Sequence, residues 1–386
     1  MSSTARPIRV FFPCTGLGRV ARGFETFTRD CADALRGRDD VALTVFGGGQ
    51  ELTEGERHIA SLSRRGAAAG LLGKLLHRDP YFVEQASFAA AFLPALIAGD
   101  PDVVYFADLN VGNACWHWRR ISGQRFRLLF YNGGATTKPF TRCDLVQQVS
   151  PEHYDAALAR GESAERQVLL PHGLQVSAQF TPVTNDERRA TRAALGVPLE
   201  GPLVLSVGML DQQVKRMDLV IRETAALTSV RPHLLLLGEE TPETPTVRAL
   251  AERELGAGRY TMRTVHRTLA MAAYRAADTF VLASPREGFG LAYLEALMSG
   301  VPCVVQDTPT TAYVYGAFGH RADLSVPGVL AGHLEPLLAT PPELAVSVAQ
   351  HAWVRDRFGW ANLAPRYAAM LHACAEGRRP VVLPTD

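Results

Sequence analysis

Residues 284–300 read SPREGFGLAYLEALMSG. They follow the run TFVLA at 279–283, whose apolar content predicts a buried strand, and they close with ALMSG, which predicts a helix stopped at Gly300. The loop between carries Glu287, Gly288 and Gly290. Glu295 lies eight positions beyond Glu287. That is about two helical turns, so Glu295 falls inside the helix and Glu287 in the loop before it. The amides of Gly288, Phe289, Gly290 and Leu291 then stand at a helix N-terminus, where backbone N–H groups and the helix dipole favour phosphate. An anion site follows with a carboxylate on either side, one suited to a sugar hydroxyl and the other to a ribose. A strand–turn–helix with two surface glutamates would account for the spacing alone, so the surrounding residues decide.

A chain of 386 residues is too long for one small core and suits two domains. Its 47% hydrophobic and 20% charged content predicts a soluble globular protein. A formal net charge of +1 gives no broad field for nucleic acid or an anionic membrane. Six cysteines lie scattered without CxxC spacing, which predicts reduced core residues and neither a disulfide framework nor a zinc site. MSSTARPIRVFFP enters a strand almost at once and shows no signal-peptide pattern. The apolar run at 86–98 is short for a bilayer and contains Pro94. The expected setting is cytoplasmic, with no transmembrane segment.

EGFGLAYLEALMSGVPCVV, from Glu287 onward, resembles the signature of the retaining family-4 (group 1) glycosyltransferases. That resemblance implies an α/β protein of GT-B fold, two facing Rossmann-like domains with parallel sheets and a cleft between them. The expected division is 1–182 for the acceptor, joined by a C-terminal helix at about 360–378 that crosses back, and 183–359 for the donor.

The resemblance extends along most of the chain. Residues 8–13 predict a strand, and CTGLGRVARGFETFTRDCADAL after it predicts a glycine turn into a helix with Phe24, Phe27, Cys31 and Leu35 at helical spacing. Gly16, Gly18 and Ala21 also fit GxGxxA, the dinucleotide fingerprint. The second strand, at 41–46, ends in three glycines where that motif needs an acidic residue. The run from Arg22 to Phe27 instead resembles the family's GGxE loop, and Gly16 and Gly18 join the expected donor-binding set. Residues 61–78 predict a basic helical stretch, read as a solvated face or as a patch turned to an acceptor or membrane. GLLGKL within it is no P-loop, since Leu75 stands where Ser or Thr must hold magnesium. Asp100-Pro101-Asp102 spells DxD, but a Pro turn entering the strand at 103–106 explains it without a metal.

The strand at 127–131 ends in Asn132, where the family usually places a His, and the strand before it ends near Asp108. Strand ends in an open parallel sheet present ligands, so both enter the expected catalytic set, Asn132 to position a sugar hydroxyl. PHGLQVSAQFTP at 171–182 resembles the family's segment before the linker, with His172 for the usual Asn, read as a turn residue packed at the domain edge. VGMLDQQVKR at 207–216 resembles the segment in which an Arg and a Lys hold the donor diphosphate. Gly208 and Lys215 match it; Met209 replaces the Arg, and Arg216 is the candidate substitute. His266 ends the strand predicted at 260–265 and completes the donor set.

The resemblance thus implies a transferase that moves a sugar from a nucleotide-diphosphate sugar, UDP-sugar favoured, to a small-molecule, glycan or lipid-linked acceptor. Glu287 orients the sugar, Glu295 the ribose, and Lys215, Arg216 and the loop amides stabilise the departing phosphate, with no cofactor and no metal. A sugar-nucleotide epimerase of the same fold and a non-catalytic nucleotide-sugar-binding subunit remain as rivals.

Overall fold

The computed structural model describes residues 6–20, 23–134 and 139–378. Ala21, the last position of the dinucleotide pattern, and Arg22, the first of the glycine–glutamate loop, lie outside the described residues, as does the segment 1–5.

The chain divides into two compact units, 1–175 with 360–386 and 176–359. In the first, β1 (Ile8–Cys14), α1 (Gly23–Leu35), β2 (Val41–Gly47), β3 (Glu56–His58), α2 (Ala67–Leu76) and α3 (Pro80–Gly99) are followed by β4 (Val103–Phe106), α4 (Leu109–Ser122), β5 (Arg127–Asn132), β6 (Leu145–Gln148), α5 (Pro151–Ala159) and β7 (Gln167–Leu169). The second runs α6 (Asn185–Leu195), β8 (Leu203–Val207), α7 (Met217–Ala225), β9 (His233–Leu237), α8 (Thr244–Leu255), β10 (Tyr260–Arg263), α9 (Arg267–Ala276) and β11 (Thr279–Leu282). It closes with α10 (Leu291–Met298), β12 (Cys303–Gln306), α11 (Pro309–Tyr315), β13 (His320–Ala322), α12 (Val329–Ala339) and α13 (Leu344–Phe358). Gly359 is extended, and the chain then re-enters the first unit as α14 (Trp360–Glu376).

Both sheets are parallel, ordered β3-β2-β1-β4-β5-β6-β7 and β10-β9-β8-β11-β12-β13. Strand order therefore reverses between β1 and β4 in one unit and between β8 and β11 in the other, the places where a doubly wound sheet leaves a crevice at its carboxyl edge. Continuous apolar runs such as VVYF in β4 and TFVL in β11 are buried along their whole length, as strands covered on both faces must be. The first core gathers Phe11, Phe46, Phe88, Phe92, Phe106 and Phe130. The second gathers Leu234, Leu236, Val281 and Val304 with α7 and α8. In the first unit α14 packs on α1, and Trp360 and Tyr367 meet the Phe27 ring.

Three local readings change. The basic stretch at 61–78 is helical only over Ala67–Leu76. Its first residues are held out of the helix by side chains of α3, Ser87 accepting from Leu62 N at 3.0 Å and Glu84 from Arg64 N at 3.2 Å. His77 in the left-handed region stops it at the other end. The apolar run at 86–98 belongs to the 20-residue α3, the one helix among the described residues long and apolar enough to cross a membrane by length and composition. Its Phe88, Phe92 and Leu96 are nonetheless fully buried in the first core. His172 is more than a turn residue: it is buried, bonded to the Tyr131 hydroxyl, and met edge-on by Phe27 at 4.9 Å. All six cysteines are free and buried.

Candidate active site

The donor-side residues of the second unit follow the carboxyl ends of β8, β10 and β11, with Glu295 further along α10. The β8–α7 loop is built around Asp211, whose Oδ1 accepts from Val214 N at 2.8 Å and Lys215 N at 2.7 Å. A carboxylate capping successive amides in this way fixes a tight turn. The loop is also fastened to the β9–α8 connection, where Glu243 accepts from Gln212 N at 2.9 Å and Leu210 O accepts from Thr244 at 3.0 Å. The Lys215 stem then lies against Gly208, where a Cβ would sit 2.9–3.1 Å from three of its carbons. A side chain at Gly208 would push the lysine stem aside.

From this position Lys215 Nζ pairs with Glu287 Oε1 across the reversal point between β8 and β11. The two side chains are 16% and 12% exposed. Arg216 follows in the left-handed region at φ 53°, caps α7, and places its guanidinium on Asp218 at 3.2 Å. Met209 contributes no charge to this loop. The β11–α10 loop ends at Gly290, φ 82°, whose missing side chain makes room for the Tyr293 ring. The first amides of α10 therefore begin directly after the loop that carries Glu287, with Phe289 buried beneath.

Glu295 sits in the second turn of α10 and is nearly buried. It accepts from Tyr274 at 2.9 Å and faces Arg267 at 3.4 Å. Burial and that carboxylate push the Tyr274 hydroxyl well above its ordinary pKa, so it stays a donor. His266 caps α9 and accepts from Thr268 N at 3.4 Å, beside Arg267.

The first unit repeats the arrangement with different groups. Asp108 is 5% exposed and takes three donors: Thr15 N, Tyr81 OH and Gln85 Nε2, each at 2.9 Å. It thereby ties the β1–α1 loop to the end of β4 and to α3, two donors on Oδ1 and one on Oδ2. Gly16 and Gly18 lie in that loop, and the buried Glu25 carboxylate fills the space a side chain at Gly16 would take. Asn132, one strand further, donates to Gln148 at 2.8 Å, and Gln148 in turn donates to Gln167 at 2.8 Å.

Asp211, Tyr274 and Arg267 join the site only in the structure. Asp211 was signalled by an Asp four residues before the Lys, and Arg267 and Tyr274 by their seven-residue spacing along one face of α9. Among the described residues no group of three or more His, Cys, Asp or Glu could hold a metal ion. Asp100 and Asp102 of the DxD tripeptide pair with Arg9 and Arg6.

The stretch that carries Gly208, Lys215, Glu287 and Glu295 also matches a known family model, Glycosyl transferases group 1, over residues 201–331. Residues 201–331 are a group 1 glycosyl transferase domain. The chain is 30% identical over 246 residues to a D-inositol 3-phosphate glycosyltransferase of Xylanimonas cellulosilytica, covering 61% of this chain and 58% of that protein. It is 31% identical over 177 residues to a mannosylfructose-phosphate synthase of Agrobacterium fabrum, covering 43% and 38%. The matches to these curated glycosyl transferases thus span little more than half of their length at most. Among solved structures, sucrose-phosphate synthase from Thermosynechococcus elongatus superposes with a TM-score of 0.76 at 19% identity, over 95% of this chain and 98% of that one. HepE from Anabaena, solved with UDP-glucose, superposes with a TM-score of 0.73 at 17% identity, over 95% and 100%. These likenesses show the GT-B fold that the group 1 glycosyl transferase signature implied.

Proposed function

We propose that the chain is a retaining glycosyltransferase that moves a hexose-type sugar from a nucleotide-diphosphate sugar, with UDP favoured, to a hydroxyl of a small-molecule, glycan or lipid-linked acceptor. The observation that carries this reading is the Lys215–Glu287 pair at the strand-order reversal, directly before the N-terminus of α10. A cation and a set of free helix amides at one point suit a diphosphate. A carboxylate between them suits the hydroxyls of the attached sugar.

As the glycosidic bond breaks, negative charge grows on the departing phosphate. Donors already aimed there stabilise the transition state more than the ground state. In this proposal Lys215, Arg216 and the amides at Gly290 and Leu291 supply that stabilisation and no metal ion is called on. Glu287 orients the donor sugar, Glu295 the ribose, and Asn132 a sugar hydroxyl. Asp108, with three protein donors already on it, holds the loop of Gly16 and Gly18 in place. Support for UDP comes from HepE and from a trehalose-6-phosphate enzyme structure of the same fold bound with UDP-2-fluoro glucose. Six unpaired buried thiols support a reducing, cytoplasmic setting.

The test is nucleoside diphosphate release from UDP-, GDP-, ADP- and TDP-sugars, followed by the anomeric configuration of any product. Slow release of diphosphate from one donor class, accelerated by an acceptor and giving the donor's own anomer, is expected. Release without transfer to any acceptor, accompanied by a changed sugar, would point to an epimerase instead.

A further inference from the structure

Tyr293 is the third residue of α10 and is fully buried, yet its hydroxyl has no hydrogen-bond partner among the described residues. A buried phenol in that condition costs free energy that a phenylalanine of the same shape would not. The hydroxyl therefore answers to an arrangement other than the resting one.

The surroundings say which. Long side chains on a helix lean toward its N-terminus, and the Tyr293 ring accordingly lies back against Gly290, where a Cβ would sit 2.3 Å from its Cδ2. Tyr293 N donates to Gly290 O at 2.9 Å, closing the first turn on the same glycine. The Tyr315 ring meets Tyr293 edge-on at 5.6 Å and is itself fully buried. Between the glycine and that ring, the phenol leans toward the loop that carries Glu287, three residues before Gly290. Burial, and after it the Glu287 carboxylate, push the hydroxyl well above its ordinary pKa, so it remains a donor.

Glu287 in turn has one partner among the described residues, Lys215. In the proposed function that lysine is drawn to the donor diphosphate. The carboxylate, largely buried, is then left without the cation that held it. A hydrogen bond to the charged form keeps a buried carboxylate ionised and fixed in direction. Tyr293 carries the donor for it.

We propose that Tyr293 is a positioning residue whose hydroxyl takes over Glu287 when Lys215 turns to a donor diphosphate. The exchange swaps hydrogen bonds and transfers no proton: the Nζ–H group leaves the carboxylate for a phosphate oxygen, and the Tyr293 O–H donates to the carboxylate. The sugar then meets an oriented, ionised Glu287, and phosphate and carboxylate do not compete for one lysine. Tyr315 is buried as deeply, but its neighbours are Cys303, Tyr293 and Tyr274 and no carboxylate. It supplies the control.

Lys215 turns to a diphosphate only if the donor site of the proposed function is right, so the inference rests on that reading; titration calorimetry separates the two. The probe is the bare nucleoside diphosphate, among UDP, GDP, ADP and TDP, that binds the wild type. Tyr293→Phe should bind it about tenfold more weakly while melting no lower than the wild type. In a Glu287→Gln background the same substitution should cost nothing, because no carboxylate is left to hold. Tyr315→Phe should keep wild-type affinity. Unchanged affinity in Tyr293→Phe would overturn the inference and leave the donor site standing. So would an equal loss in the Glu287→Gln background or in Tyr315→Phe, since the hydroxyl would then serve the packing and not the carboxylate. A wild type that binds none of the four diphosphates would overturn the donor site and the inference with it.

Discussion

Lys215, from the loop after β8, and Glu287, from the loop after β11, form an ion pair that bridges the reversal of strand order in the second sheet. Neither side chain reaches this point through its own element alone. Lys215 is aimed by the Asp211 turn and by the absence of a side chain at Gly208; Glu287 stands three residues before the Gly290 cap of α10. Before a donor arrives, each charge is the other's principal counterion.

The pair yields opposite expectations for its two members. Lys215→Ala should cut turnover by about two orders of magnitude or more, since a donor aimed at developing phosphate charge is worth about 3–4 kcal/mol. Glu287→Gln should also cut turnover but should leave affinity for the bare nucleoside diphosphate unchanged or tighter, because it frees the lysine. Titration calorimetry of both variants with the bare diphosphate checks this. Equal weakening in both would mean that the pair holds the loop and does not sort phosphate from sugar.

Glu295 is held by Tyr274 and Arg267, neither of which is placed on the nucleotide in this account. Glu295→Ala should weaken nucleotide binding by about 1–3 kcal/mol, the scale for a hydrogen bond involving a charged group. Tyr274→Phe should change it less. Unaltered affinity in Glu295→Ala would remove Glu295 from the ribose.

Arg216 separates backbone from charge. Its left-handed φ costs a non-glycine residue about 1–2 kcal/mol, so Arg216→Gly should be more stable than Arg216→Ala by about that amount. Both should lose turnover if the guanidinium stands in for the cation missing at Met209. Denaturant titration reads the first expectation, and steady-state rates the second. A fully active Arg216→Gly would leave the diphosphate to Lys215 and the amides.

Burial lowers the His172 pKa from 6.5 to about 3. Between those values the unfolded chain binds a proton that the folded chain does not, so stability falls as pH drops through that window. From pH 7 to pH 4.5 this group should cost about 2–3 kcal/mol. His172→Gln, which keeps a partner for the Tyr131 hydroxyl, should flatten that acid limb in urea titrations at the two pH values. An unchanged difference between them would mean that His172 is already protonated in the folded state.

Much of this molecule is legible in its sequence because apolar runs and glycine punctuation are local signals. The run TFVLA, the Gly290 turn and the alternation of strands with helices announce β11, α10 and two parallel sheets. What stayed hidden depends on contacts between distant segments. Nothing near Asp108 announces that Thr15, Tyr81 and Gln85 will enclose it. Tyr274 and Arg267 become site residues only once α9 is laid beside α10.

The proposed donor site puts the diphosphate of a nucleotide sugar on Lys215 of the second unit. Thermal shifts of the wild type and of Lys215→Ala, measured across UDP-, GDP-, ADP- and TDP-sugars, test it most directly. A ligand at about one hundred times its dissociation constant adds about 2.7 kcal/mol of apparent stability. One nucleotide class should therefore raise the wild-type melting temperature by several degrees and leave Lys215→Ala nearly unmoved. An equal rise in both proteins, or no rise with any nucleotide sugar, would contradict it.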